Sequence, residues 1–215
     1  MSAKRVLGGL LNGVAFFQYS QALHWLFFKD HGVITRAFGT HFVFLTVLGL
    51  VASYVVQVLG IVAAVTGSRF TKSLKDGLNK LSAPLELVIS ILYWSIKAYD
   101  PKLLINEEIQ ERIPFWVDVS IHLLPSAVGS LDALFFSSRW RTSFVSIVSQ
   151  FSLCALAYWH WVDYAYSYNG FYPYPLFGLV TKEARIGIFA GAVFIASTSF
   201  ILLKSFQRLF PGGRL

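Results

Sequence analysis

Apolar segments alternate with short polar connections along the whole chain. Six of them run near residues 8–28, 42–66, 82–99, 114–136, 144–165 and 184–205. Each has about the 20 residues that an α-helix needs to cross ~30 Å of hydrocarbon. The second and sixth are the plainest, because "VLGLVASYVVQVLGIVAAV" and "IGIFAGAVFIASTSFILL" contain no charged residue. The first is diluted by Asn12, Gln18, Gln21 and His24. Polar positions inside the segments keep helical spacing. Asp118, His122, Ser126 and Gly129 follow i, i+4, i+8, i+11, and Asp132 continues the stripe. Thr46, Gly49, Ser53, Gln57 and Gly60 make a matching stripe in the second segment. Pro125 cannot donate to the carbonyl of Ile121, which predicts a kink beside His122. The pattern therefore predicts an all-α polytopic transmembrane bundle of six spans, forming one domain over residues 1–215.

The start of the chain has the ingredients of a secretion signal: Lys4 and Arg5, an apolar run, and "SQA" at 20–22. The apolar run continues past that point as "LHWLFF", so an uncleaved first span is expected. With six spans, the N-terminus, the 2–3 and 4–5 loops and the C-terminus share one side. That side carries Lys4, Arg5, Arg69, Lys72, Lys75, Lys80, Arg139, Arg141, Lys204, Arg208 and Arg214. Opposite them stand fewer basic residues: Lys29, Arg36, Lys97, Lys102, Arg112, Lys182 and Arg185. The positive-inside rule then puts both termini in the cytosol.

Composition agrees with a membrane protein. Hydrophobic residues make up 55% and charged residues 13%, against about 25% charged in soluble domains. The net charge of +7 is scattered singly at segment ends, unlike a phosphate-tracking patch, so no nucleic acid partner is expected. The single cysteine, Cys154, excludes an intrachain disulfide or CxxC metal site. His24, His31, His41, His122 and His160 show no metal-ligand spacing, and neither a GxSxG elbow nor a phosphate loop is present. No metal and no cofactor are expected. His31 and His41 read as loop residues at the surface.

An ionisable side chain at mid-bilayer costs ~2.5–3.5 kcal/mol, so such residues face bundle interiors or cavities. Thr46 lies ~6–8 Å into its span and His122 ~12–14 Å into its own, both from the same side. His160 and Asp163, spaced i and i+3, close the fifth span on that side too. A threonine hydroxyl needs a base to become a nucleophile, and histidine is the usual one. Asp118, His160 and Asp163 are candidates to orient His122. Ser53 and Tyr93 are candidate donors to a developing oxyanion. Against this stand blander readings: small residues at the spacing of Thr46 and its neighbours let helices pack closely, and Asp118 and His122 can satisfy each other.

Five pieces of the chain resemble one family of multi-pass membrane proteins. They are "FLTVLGLVASYVV" (44–56), "YWSIKAYDPKLL" (93–104), "IPFWVDVSIHLLP" (113–125), "YWHWV" (158–162) and "GFYPYPLF" (170–177), in that order. The family is that of the androgen-induced gene and androgen-dependent TFPI-regulating proteins. The resemblance implies a membrane threonine hydrolase of fatty acid esters of hydroxy fatty acids, with Thr46 as nucleophile and His122 as catalytic histidine. The chain departs from the family at Val119, where a second His is common, in "HLLPSAVG", and in the longer "DYAYSYN" loop. The expectation is an integral membrane enzyme of the endoplasmic reticulum or another endomembrane. It would take a fatty-acyl ester sideways from the lipid bilayer and would need no cofactor. The alternative is a non-catalytic endomembrane protein that packs or binds lipid.

Overall fold

The structure is a computed structural model and describes residues 2–105 and 113–209. Arg112 and Arg214, counted above in the charge balance, lie outside the described residues. The described residues form helices and turns, with no strand among them. In chain order these are α1 (Ala3–Phe28), the short α2 (Val33–Arg36), a 3-10 turn (Thr40–Val43), α3 (Leu45–Thr66), α4 (Arg69–Tyr99), a second 3-10 turn (Pro101–Leu103), α5 (Phe115–His122), α6 (Leu124–Phe135), α7 (Phe144–Asn169), the short α8 (Leu176–Leu179) and α9 (Lys182–Phe206).

Local chemistry sets most of the boundaries. Ser2, Ser68, Ser143 and Thr181 each accept a backbone N–H three residues ahead and so start α1, α4, α7 and α9. Gly67 and Gly170 close α3 and α7 in the left-handed conformation. The fourth apolar segment is broken: α5 ends at His122, Leu123 leaves helical geometry, and Pro125 lies in the first turn of α6. The expected kink falls where the proline lacks its N–H. α4 differs more from expectation, starting at Arg69 rather than near residue 82. Its extra turns are stable because their polar side is buried, through Lys75, Asp76, Asn79 and Ser82.

Helices α3, α4 and α9 combine the length and apolarity needed to cross a membrane. α3 packs between α1 and α4, α6 lies on α4, and α9 joins α4 to α7. The start of α1 and the end of α9 lie at one end of the bundle, the near end. There Arg5 donates to the carbonyls of Ala64 and Val65 at the end of α3, and Gln207 links the Trp140 N–H to the Ala133 carbonyl. Three apolar groups fill the interior. One joins α1, α3 and α5 through Tyr19, Leu50, Val117 and Ile121. Another, toward the near end, includes Ala83, Ile147 and a Trp140–Phe200 stack. The third lies at the far end around Tyr158, Val162 and Phe177. Val14, Phe17, Leu153 and Phe194 point outward, as lipid-facing residues do.

The stripe from Thr46 to Gly60 is buried, as is that from Asp118 to Asp132. Their partners were not evident from the sequence. Ser53 Oγ donates to Glu86 Oε1 at 2.8 Å and lies 3.0 Å from Ser82 Oγ. Gly49 allows this approach, since a Cβ there would lie 2.9 Å from that same Glu86 oxygen. Asp132 receives Lys75, Asn79 and Ser137 at 2.7–2.9 Å.

Candidate functional site

The site lies at the far end, where α3 begins and α5 stops. Thr46 is the second residue of α3. Phe44, the residue before that helix, supplies no side-chain cap. Two tyrosines from elsewhere come to this end instead. The Leu45 N–H donates to Tyr158 Oη at 3.1 Å, and Tyr158 donates onward to the Val43 carbonyl at 2.9 Å. The Tyr174 hydroxyl lies beside Thr46 and the first turn of α3. Burial pushes the Tyr174 hydroxyl up, so it stays protonated and able to donate. Thr46 therefore sits at the positive end of a 22-residue helix, beside a neutral phenol.

His122 is the last residue of α5 and is buried. Its Nδ1 lies 2.8 Å from Asp118 Oδ1 and 3.1 Å from the Asp118 carbonyl oxygen. Both are acceptors, so Nδ1 carries the proton and Nε2 is left as the basic nitrogen. Asp118 Oδ2 accepts in turn from Lys97 Nζ. The Tyr93 ring stacks on the imidazole, and Lys97 Nζ lies 3.4 Å from Tyr93 Oη.

Two cavities meet here. The first, of about 150 Å³, is lined by Thr46, Tyr93, Tyr158 and Tyr174 at its far end and by apolar side chains of α4, α7 and α9 below. The second, of about 90 Å³, is lined by Thr46, His122, Tyr93 and Tyr174 together with Trp25, His31 and His41. Thr46, Tyr93 and Tyr174 belong to both, whereas His122 faces only the second.

The remaining sequence candidates are dispersed. Asp118 and Tyr93 adjoin His122. Ser53 is committed to Glu86 and Ser82 and lines neither cavity. Asp163 accepts from Arg185 at 2.8 Å and from Tyr172 at 3.1 Å. His160 lies with it on an open groove along α7, apart from His122. His31 and His41, read as surface residues, are buried at the edge of the second cavity. The loops carrying them fold back over the bundle, with His31 Nε2 2.9 Å from the Trp25 carbonyl and the His31 and His41 rings 5.2 Å apart. Burial, then the neighbouring His31, pushes His41 down to about 4. Among the described residues no cluster of His, Cys, Asp and Glu could hold a metal ion. Sequence reasoning missed Lys97 and Tyr174. Lys97 lies i+4 from Tyr93, a signal that was readable; Tyr174 sits in a loop whose return to α3 has no periodicity.

Comparison with known proteins gives a consistent picture. Residues 10–208 match the family described as FAR-17a/AIG1-like protein. The chain is 32% identical over 204 residues to a UPF0641 membrane protein of Schizosaccharomyces pombe, covering 95% of this chain and 92% of that one. It is 24% identical over 133 residues to the Androgen-induced gene 1 protein of Homo sapiens, covering 60% of this chain and 55% of the human protein. No solved structure matches it.

Proposed function

The chain belongs to the FAR-17a/AIG1-like family of membrane proteins, and from that premise we propose that it hydrolyses a fatty-acyl ester taken from the membrane, with Thr46 as nucleophile and His122 as base. The observation that carries the reading is the saturated Nδ1 of His122: Asp118 fixes the tautomer whose Nε2 can take a proton, in a cavity that Thr46 also lines.

His122 Nε2 removes the Thr46 hydroxyl proton as Oγ1 attacks the ester carbonyl. The tetrahedral oxyanion forms beside the start of α3 and the Tyr174 hydroxyl, where positive potential and a neutral donor favour it. Collapse breaks the bond to the alcohol oxygen, and His122 returns the proton to that oxygen. The resulting acyl ester on Thr46 is cleaved by water, activated by His122 in the same way, releasing the carboxylic acid and restoring the hydroxyl. Asp118 stabilises the imidazolium that appears in each step. None of these steps requires a cofactor. We propose that it resides in the endoplasmic reticulum or another endomembrane, a reading that its membrane-protein family supports.

A fluorophosphonate probe tests this on the purified protein in detergent. Labelling of the wild type, lost in folded Thr46→Ala and His122→Ala variants and retained in part by Thr46→Ser, is the expected result. Equal labelling of all four proteins, or labelling that maps to another residue, overturns it and leaves a protein that packs or binds lipid without turning it over.

A further inference from the structure

We propose that the larger cavity is the acyl-chain subsite and that its closed end, formed by Leu85, Phe151 and Ala196, sets the longest acyl chain the enzyme accepts. The proposal rests on the hydrolase reading above. It follows from how the two cavities divide the catalytic groups. Thr46 borders both, so the scissile carbonyl belongs at their junction. His122 borders only the smaller one. The group that His122 must reprotonate is the departing alcohol, so the alcohol part lies in the smaller cavity and the acyl chain in the larger.

The larger cavity has the chemistry and shape of a chain channel. Below its tyrosine-lined mouth the walls are Val88, Ile89, Leu92, Phe189, Ala192 and Val193, and no charged side chain is among the described residues of the lining. From Ile96 down to Leu85 it follows α4 for roughly 16 Å at the helical rise. It stops on close-packed apolar groups, where Phe151 and Ala196 pack into the cluster holding the parallel Trp140–Phe200 stack. Its side is open. α7 packs on α9 and on the 3-10 turn at Thr40–Val43 and has little direct contact with α4, and Cys154 of α7 is exposed while lining the channel. A chain can therefore slip in from the bilayer between α4 and α7 without crossing water.

A chain lying along the channel from Thr46 meets its blind end, so methylenes beyond that depth lose their apolar berth and the fit discriminates by length. Ala196→Phe fills its lowest turn, removing about 5.4 Å, or roughly four methylene groups. Phe151→Ala opens space at the same depth. Each methylene left without an apolar berth costs about fourfold, so four of them separate chain lengths by about two orders of magnitude.

The experiment measures kcat/KM of the full-length protein in mixed micelles against p-nitrophenyl esters from butanoate to octadecanoate. Expected is a sharp upper length limit for the wild type, shifted shorter by about four carbons in Ala196→Phe and longer in Phe151→Ala. Opposite shifts cannot come from a general loss of stability. If both variants scale every length by one factor while the wild type is active, the channel proposal is overturned and the hydrolase reading stands. If the wild type cleaves none of the esters, the hydrolase reading falls, and a diazirine-bearing hexadecanoic acid decides the channel. Photolabel on the segments around Phe151 and Ala196, abolished by Ala196→Phe, supports a lipid-chain site; label confined to the outward faces overturns it.

Discussion

The ring of Tyr93 lies flat on the imidazole of His122, with centroids 3.3 Å apart and planes 3° from parallel. Tyr93 belongs to the long α4, whereas His122 ends a two-turn helix at a break in the chain. The imidazole is thus held on its edge by Asp118 and on its face by Tyr93. A rigid helix positions a residue whose own helix is short.

Tyr93→Phe keeps the stack and loses the contacts of its hydroxyl with Lys97 and Asp118; Asp118 keeps its bonds to His122 and Lys97, so kcat should fall no more than about tenfold. Tyr93→Ala frees the imidazole face and merges the two cavities. Its kcat should drop about a hundredfold, the scale of a catalytic group displaced by about 1 Å, with a smaller change in KM. Equal losses in both variants would show that the hydroxyl matters and not the ring.

Replacing Asp118 by Asn tests the tautomer argument. The amide can present an N–H to Nδ1, which drives the proton to Nε2 and leaves no base facing Thr46. Turnover should fall by about 10⁴-fold with the fold intact. Lys97→Met leaves the Asp118–His122 hydrogen bond in place and should cost far less. Nitrogen NMR of the imidazole, reading which nitrogen is protonated, separates a tautomer change from simple misfolding.

Much of this arrangement was legible in the chain. Thr46 and His122 stand at helical spacing within polar stripes, and counting residues from the segment ends brings them to one half of the bilayer. Pro125 announced the break beside His122. The burial of His31 and His41 was not legible, because it depends on connections folding back over the bundle rather than on any repeat. Glu86 went unread for another reason. In "LSAPLELVIS" it is one acid near the start of an apolar run, indistinguishable from a segment boundary until α4 is seen to begin at Arg69. Tyr174 reaches Thr46 from a loop more than a hundred residues away, and only the packing of α7, α8 and α9 brings it there.

That early start of α4 leads to a stability prediction at the near end. Lys75 and Asp132 are almost completely buried and pair at 2.7 Å, joining α4 to α6. Lys75→Met leaves the Asp132 carboxylate with only Asn79 and Ser137 as partners. It should destabilise the bundle by about 3–5 kcal/mol, since an unpaired buried charge costs far more than the pair contributes. Adding Asp132→Leu should recover most of the loss. Thermal unfolding in a single detergent compares the three proteins, and a double variant no better than Lys75→Met would show that α4 and α6 depend on the pair for their docking and not merely for charge balance.

The loop over the smaller cavity should make the protein sensitive to mild acid. His41 is packed against Phe27 and His31 and is pushed down to about 4 by burial, then by His31. An unfolded histidine titrates near 6.5. Between those values the unfolded chain binds a proton at His41 that the folded chain refuses. Stability therefore rises with pH across this window. The contribution of neutral His41 is fully present above about 6.5, is lost progressively as pH falls toward 4, and loses nothing further below that. His41→Gln cannot take up a proton on unfolding. Its unfolding temperature should therefore fall less than that of the wild type between pH 7 and pH 4.5. Parallel curves for the two proteins over this range would assign the acid sensitivity to other groups and leave His41 as a packing residue of the cavity wall.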